Sequence, residues 1–189
     1  NSRYVYLNPR RGGMIAVAES ARNVVCTGAT PLAITNCLNF GNPYKPEVYW
    51  QFKEAVAGIA EACKAFNTPV TGGNVSFYNE SPSATVYPTP VIGMLGLIDD
   101  ISKVVTSSFK DERDVIILLG KSQGHVGGSE YLYSEFGIVA GDAPIIDLDY
   151  ERRIHAACLE AIDKELLKSA QDCSEGGLAV ALAECTTHN

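Results

Sequence analysis

The sequence lacks the features that mark several specialised classes of protein. None of its apolar runs approaches the roughly 20 residues of a membrane span, and its first residues lack the apolar core of a signal peptide. Internal repeats and low-complexity tracts are also missing. The six cysteines form no C-x-x-C pair and lie mostly within apolar runs, which is typical of reduced, buried thiols. These absences predict a soluble cytoplasmic protein with no membrane partner.

Positive charge is scarce as well. The chain carries 15 basic and 22 acidic residues, a formal charge of -7, so its overall field repels nucleic acid and anionic lipid. A phosphate-bearing ligand would have to be held by local contacts. The three histidines are scattered, and no Ser/His/Asp or Cys/His pattern emerges, which gives a hydrolase or thiol enzyme little support.

What is present is typical of a globular protein. Of the 189 residues, 46% are hydrophobic and 20% charged, enough for a little over one domain. The fold class predicted is mixed α+β, with a first domain over residues 1–111 and the first part of a second, truncated domain over residues 112–189. Apolar periodicity predicts helices over 11–25, 46–66, 149–168 and 176–184, and buried strands over 31–35, 69–80, 90–98 and 114–120.

The segment Gly72-Gly73-Asn74-Val75-Ser76 is the most unusual local sequence. Two glycines let the backbone approach a ligand closely, and in an extended chain Asn74 and Ser76 point to the same face. Val75 and Phe77 should then lie on the opposite, packed face. A tight bend or bulge is the ordinary alternative for such a glycine pair.

Other polar groups have both a functional and a structural interpretation. Asn36, Asn39 and Asn42 share a predicted loop after a strand, where they could contact a ligand or form turns. Glu19 and Asn23 lie four residues apart on a helix, so their oxygens could jointly hold Mg²⁺ or form a solvated polar edge.

A further polar loop runs from Asp172 to Gly177 and precedes the last predicted helix. It offers the carboxylates of Asp172 and Glu175 and the hydroxyl of Ser174. Capping of the helix by Ser174 is the structural alternative to a binding role.

Six blocks, taken in order, resemble one family across essentially the whole chain. They are AVAESARN, ATPLAITNCLNFGNP, GGNVSFYNE, PTPVIGMLGLIDD, GGSEY and DCSEGGLAVALAE. Together they resemble the later half of phosphoribosylformylglycinamidine synthases of the PurL type. The resemblance implies a PurM-like N-terminal domain and part of a PurM-like C-terminal domain, from the second of two fused copies.

The activity that this resemblance implies is an ATP-dependent ligase. Members of the family convert formylglycinamide ribonucleotide, ATP and glutamine-derived ammonia to the formylglycinamidine, ADP and phosphate. The implied cofactors are ATP and Mg²⁺, and the implied partners are a glutaminase subunit, a small assembly subunit and the missing first copy. The histidines assigned to catalysis in the family belong to that first copy, so the isolated chain is expected to be inactive.

Residue by residue, the resemblance assigns three kinds of contact. Nucleotide contacts fall on Asn36 and Gly73, Mg²⁺ ligands on Asn74, Glu19, Asn23 and Asp172, and substrate contacts on Ser76 and Ser174. Two positions depart from the family pattern, because Asn36 replaces an Asp and Gln171 replaces a His.

Two other readings remain open from the sequence. The nucleotide pocket could be structural, holding ADP permanently and serving assembly of the same complex without catalysis. The chain could instead belong to the sister aminoimidazole ribonucleotide synthetases, although GGNVSFYNE argues against that.

Overall fold

The computed structural model describes residues 1–187 as a mixed α+β fold. Its elements, in chain order, are α1 (Ser2–Leu7), α2 (Pro9–Val25), β1 (Thr30–Asn39), α3 (Pro46–Phe66), β2 (Val70–Ser76), β3 (Thr89–Leu97), a 3₁₀ turn (Ile101–Lys103), α4 (Glu130–Phe136), α5 (Leu148–Asp163) and α6 (Gly177–Glu184). All three strands lie in the first half of the chain, together with helices α1 to α3.

Helix α1 was not anticipated from the apolar pattern, although its caps are visible in the sequence. The side chain of Asn1 accepts a hydrogen bond from the Arg3 amide at 3.0 Å, and that of Asn8 accepts one from the Arg11 amide at 3.2 Å. Pro9 then begins α2, a position where its missing amide hydrogen costs nothing. Two successive asparagine caps therefore divide this stretch into two helices.

The sheet has the strand order β2-β1-β3, with β1 parallel to β2 and antiparallel to β3. One face of it packs against α2 and α3, and we call this the inner face. Ile34 and Leu38 of β1 are buried on this face, and Ile92 and Met94 of β3 pack against the same core. Other members of the core are Val5, Val17, Phe40, Val48, Ala55, Ile59, Ala62 and Cys63.

The opposite, outer face of the sheet is open within residues 1–187. Val91 and Leu95 alternate with the inner-face residues of β3 and are 52% and 64% exposed. The alternation of buried and exposed positions fixes the register of β1 and β3, because a slip of one residue would exchange the two faces.

Strand β1 is longer than the sequence suggested, and this corrects one prediction. Residues 36–39 were expected to form a loop, yet they pair with β2 on one side and β3 on the other. Pairing on both sides satisfies the backbone of this polar segment, which outweighs the turn preference of its asparagines.

The apolar run 114–120 forms no strand in the described part of the chain, contrary to the prediction. Val115 and Ile117 are 83% and 71% exposed. A strand needs a hydrogen-bonded neighbour, and none of the described segments pairs with this one. Apolar content alone is therefore not enough to make this segment a strand.

Helix α5 also differs from its predicted extent, because it ends at Asp163 and not at Lys168. Glu165 takes a left-handed backbone conformation with φ 56°, which a continuing helix does not allow. The helix packs on α2 through a small second cluster of Val25, Cys158 and Ile162. All six cysteines are free thiols, and Cys63, Cys158 and Cys185 are buried.

None of the helices within residues 1–187 combines the length and the apolar composition that crossing a membrane requires.

Candidate functional site

Two rows of side chains, in which polar residues predominate, cross the outer face of the sheet. One row crosses the strands as Ser76, Asn39 and Thr89, and the next as Asn74, Cys37 and Val91. Paired residues of neighbouring strands share a face, so Asn74 and Ser76 lie together on the side away from the helices. Within the first row, the Asn39 amide Nδ2 donates a hydrogen bond to the Thr89 carbonyl at 3.1 Å and so links β1 to β3.

The alternation expected along β2 is present, with one difference. Phe77 packs against the core, and its ring lies 5.0 Å from that of Phe52 in an edge-to-face arrangement. Val75 pairs with Leu38 on the inner side but remains 49% exposed, contrary to the expected packing. Because β2 is the terminal strand of the sheet, the helices cover this part of its inner face only partly.

Gly73 and Asn36 are paired in register and lie in very close contact. Gly73 has φ +152°, and a Cβ atom there would overlap the carbonyl oxygen and the side-chain Oδ1 of Asn36. Its neighbour Gly72 has open space at the same position. Asn36 alternates with Ile34 and Leu38, so it lies on the inner side of β1, on the opposite face from Asn74.

Glu19 and Asn23 line a cleft of about 450 Å³ between α2 and β3, which is an edge strand of the sheet. Thr89, Pro90 and Ile92 form its other wall. Burial first, and then the charge of Glu175, raise the pKa of the Tyr4 hydroxyl in α1, while Arg3 acts in the opposite direction.

Asp172 is 9% exposed, and its Oδ2 atom has no hydrogen-bond partner among residues 1–187. Burial raises the pKa of its carboxyl, while the nearby Arg22 guanidinium acts in the opposite direction. An orphaned, buried carboxylate oxygen fits the requirement for a cation ligand.

Ser174 does not cap α6, so the structural alternative for this residue is wrong. The N-cap is Gly176, which has φ 82° and no side-chain hydrogen bond. Ser174 is exposed, and its carbonyl accepts the Gly177 amide at 3.1 Å. The exposure of its hydroxyl is compatible with a ligand contact.

Three of the predicted Mg²⁺ ligands, Asn74, Glu19 and Asn23, do not converge on one centre in this chain. Asn74 lies on the outer face of β2, whereas Glu19 and Asn23 lie beyond β3, at the other edge of the sheet. Two strand spacings amount to roughly 10 Å, but ligands that share one Mg²⁺ lie within about 4 Å of each other. Within residues 1–187, no group of three or more His, Cys, Asp or Glu side chains could hold a metal ion.

Sequence reasoning missed a partly buried charged cluster between α2 and α5. The Glu151 Oε2 atom lies 3.6 Å from Arg22 Nε and 3.6 Å from His155 Nε2. Burial acts to raise the pKa of the Glu151 carboxyl, but His155 and Arg22 outweigh it, so the pKa lies below its ordinary value. The spacing of Glu151 and His155, four residues apart on one helix, was the available signal.

This cluster gives a pH-dependent prediction for the substitution Glu151→Gln. Because the pKa of Glu151 is lowered on folding, its contribution to stability is present above the ordinary value of 4.5 and is lost as the pH falls through the folded-state value. We expect the variant to unfold at lower urea concentration than the parent at neutral pH, with the difference shrinking below pH 4.5.

Glu160→Gln is the matched control, since Glu160 pairs with Lys164 on the exposed side of the same helix. An exposed pair of this kind contributes little to stability, because water and salt screen its charges. A Glu151→Gln difference that does not change with pH would contradict the assignment.

Family models account for most of the chain. The model of the AIR synthase related protein N-terminal domain matches residues 1–98, more than half of the sequence, and the model of the corresponding C-terminal domain matches residues 112–189. The chain belongs to the AIR synthase related family. Its mixed α+β architecture is that of the family's PurM-like domains.

Curated members of this family resemble the chain from end to end. The phosphoribosylformylglycinamidine synthase subunit PurL of Chlorobaculum tepidum is 56% identical over 193 residues, which cover 100% of this chain. The subunit of the same name from Moorella thermoacetica is 58% identical over 184 residues, or 97% of the chain. In both cases the chain spans 25% of the relative's length.

Solved structures of the family agree with the fold. Phosphoribosylformylglycinamidine synthase II from Thermotoga maritima matches 95% of this chain and 26% of its own, with 25% identity and a TM-score of 0.59. A Thermotoga maritima PurL complexed with ATP matches 53% of this chain and 17% of its own, with 38% identity and a TM-score of 0.50. A PurL complexed with FGAR matches 81% and 21%, with 26% identity and a TM-score of 0.54.

Proposed function

We propose that this chain is a segment of an ATP-dependent carbon–nitrogen ligase of the phosphoribosylformylglycinamidine synthase type, acting in purine biosynthesis. The observation that carries the proposal is 56–58% identity to subunits of that name across 97–100% of the chain. The substrate is formylglycinamide ribonucleotide, in keeping with the PurL that was solved with FGAR. The nucleotide is ATP, in keeping with the PurL solved with ATP.

The chain contributes two ligand-bearing regions to this enzyme. The outer face of the sheet supplies Asn74 for Mg²⁺ and Ser76 for the substrate. Gly73 and Asn36, the proposed nucleotide contacts, lie on the opposite, inner face of the same strands. The second region lies along α2 and supplies Glu19, Asn23 and Asp172 for Mg²⁺ and Ser174 for the substrate. Their separation across the sheet supports two sites, each completed by groups outside this segment.

In this proposal the residues bind and orient the reactants. Mg²⁺, when bound, neutralises triphosphate charge. Asn74 and the carboxylates of Glu19 and Asp172 supply oxygen ligands, which Mg²⁺ prefers. Ser76 and Ser174 offer hydroxyls that can hold the substrate by hydrogen bonds. Positioning of this kind can account for much of the rate of phosphoryl transfer without a protein nucleophile.

The proposal includes a division into two domains near residue 111, supported by the interval between the two matched ranges, 1–98 and 112–189. Its partners are the first copy of the same enzyme, a glutaminase subunit and a small assembly subunit. A reducing, cytoplasmic location is supported by the six free thiols.

The experiment uses the protein that contains this segment, at the length of its curated relatives. It is incubated with ATP, Mg²⁺ and ammonium ion, with and without formylglycinamide ribonucleotide, and ADP is measured. We expect ADP release only when the ribonucleotide is present, in equal amounts with the formylglycinamidine. A protein that retains one ADP through many hours of exchange and consumes no ATP would show a structural nucleotide site instead.

Asn36 gives a more specific prediction because it lies on the inner side of β1, away from Asn74. If it hydrogen-bonds the nucleotide and does not ligate Mg²⁺, restoring the family's carboxylate should have a small effect. In the full-length enzyme, Asn36→Asp should change the KM for ATP by less than roughly tenfold, or about 1.4 kcal/mol. A large fall in the Mg²⁺ concentration needed for activity would show that residue 36 is a metal ligand.

A further inference from the structure

Asn79 lies directly against Ser76, just beyond the end of β2. Tyr78 takes a left-handed conformation with φ 60°, and this reverses the chain so that Asn79 returns onto the strand end. The Asn79 amide Nδ2 donates to the Ser76 carbonyl at 2.7 Å and to the Phe40 carbonyl at 3.0 Å. One side chain therefore joins the ends of the two parallel strands β1 and β2.

The remaining polar atom of Asn79 meets the Ser76 hydroxyl. Ser76 Oγ lies 3.2 Å from Asn79 Oδ1 and 3.1 Å from Asn79 Nδ2. The Nδ2 group has two hydrogens, and its shorter contacts to the two carbonyls use both. The Ser76 hydroxyl is then left to donate to Oδ1, which fixes its single proton toward Asn79.

A hydroxyl with its proton committed in this way presents only lone pairs to its surroundings. Ser76 lies in the outer-face row with Asn39 and Thr89, half-buried and accessible from that face. It is therefore prepared to accept a hydrogen bond from a ligand. The groups of a ribonucleotide amide that could donate this hydrogen bond are its amide N–H and its ribose hydroxyls.

We propose that Asn79 is a positioning residue that holds the Ser76 hydroxyl as a hydrogen-bond acceptor for an N–H or O–H group of the substrate. The inference rests on the proposed function, since it requires Ser76 to contact the ribonucleotide. It adds a residue that acts through Ser76 and gives the direction of the hydrogen bond.

The test is a double-mutant cycle in the full-length enzyme, with the variants Ser76→Ala, Asn79→Ala and the two combined. The KM for formylglycinamide ribonucleotide and for ATP, and kcat, are measured for each. We expect each single change to raise the KM for the ribonucleotide roughly tenfold, and the pair to raise it roughly tenfold as well, because both remove the same contact. The KM for ATP should change much less.

Ser81→Ala is the control for a general loosening of this segment. Ser81 Oγ accepts the Ala84 amide at 3.1 Å in the next turn and has no contact with Ser76 among its hydrogen bonds. The Ser81→Ala variant should therefore have the same KM for the ribonucleotide as the parent enzyme.

Several outcomes would overturn the inference. Single effects that multiply to roughly 100-fold in the pair would mean that Asn79 acts independently of Ser76. An unchanged KM in Ser76→Ala, with a raised KM in Asn79→Ala, would remove Ser76 from the substrate site and Asn79 from this role.

Failure of the proposed function has a different signature, which is no ribonucleotide-dependent turnover in the parent enzyme. In that case the same variants are compared by urea unfolding. Coupling between the two changes in the free energy of unfolding would support the Ser76–Asn79 hydrogen bonds, and strict additivity would contradict them.

Discussion

Replacing Gly73 by alanine is expected to destabilise the protein strongly, whereas the same change at Gly72 is expected to be nearly neutral. The two positions are adjacent on β2, but only at Gly73 would a Cβ atom overlap the carbonyl oxygen and Oδ1 of Asn36. The overlap with the carbonyl is with backbone, so a side-chain rotation cannot relieve it. Gly73 also has φ +152°, which a residue with a Cβ rarely adopts.

Together the overlap and the backbone strain should cost roughly 2–4 kcal/mol in the free energy of unfolding. This corresponds to a fall in Tm on the order of 5–15 °C for a chain of this size. Gly72→Ala should shift the free energy by less than about 1 kcal/mol, because no atom of the described part of the chain lies within 4 Å of its added Cβ. Urea and thermal unfolding of the two variants measure the difference.

The partner residue allows a further check. Asn36→Ala removes the Oδ1 atom but leaves the carbonyl oxygen in place, so it should rescue Gly73→Ala only in part. Equal stability of the Gly72→Ala and Gly73→Ala variants would contradict the close contact between β1 and β2.

The second large effect is on activity, since the 189-residue chain alone is expected to have no synthase turnover. Its polar rows lie on an open sheet face, and the two ligand-bearing regions are at opposite edges of the sheet. A site with half of its contacts has about half of the binding free energy. If the complete site binds ATP at about 1 µM, half of that free energy gives about 1 mM.

Isothermal titration with ATP and Mg²⁺, together with an assay for ADP release, measures both quantities. Circular dichroism of the isolated chain establishes whether it is folded. Turnover of formylglycinamide ribonucleotide by the folded chain at a rate near that of the full-length enzyme would contradict the account.

The sequence predicted those parts of the fold that depend on local pattern. Helices α2 and α3 carry apolar stripes at helical spacing, and both were anticipated close to their observed bounds. The alternation along β2 placed Asn74 and Ser76 on one face and Phe77 on the other. In each case the period of the side chains determines which of them face the core.

The errors arose where distant residues decide the structure. Asn36 and Asn39 are strand residues because both neighbouring strands pair with them, and this pairing is not visible in the local sequence. The run beginning at Val115 has the apolar content of a strand but no partner among the described segments. Strand formation depends on such pairing more than on intrinsic preference.

The candidate site could be predicted only in part for the same reason. Family resemblance marked Asn74, Ser76 and Glu19, but it could not reveal that Glu19 lies beside the opposite edge strand of the sheet from the other two. The contact of Asn79 with Ser76 depends on the left-handed turn at Tyr78, a conformation that the residue type does not predict.

The most direct test of the central claim, that the outer face of β2 bears ligand, is a crystal structure of the full-length protein with a non-hydrolysable ATP analogue, Mg²⁺ and formylglycinamide ribonucleotide. The account predicts an Mg²⁺-bound phosphate group at Asn74, with the ribonucleotide donating a hydrogen bond to Ser76. It also predicts that any ion held by Glu19, Asn23 or Asp172 is a separate one, beside α2 and away from Asn74. Ligands that leave Asn74 and Ser76 facing solvent, with all phosphates gathered beside α2, would contradict it.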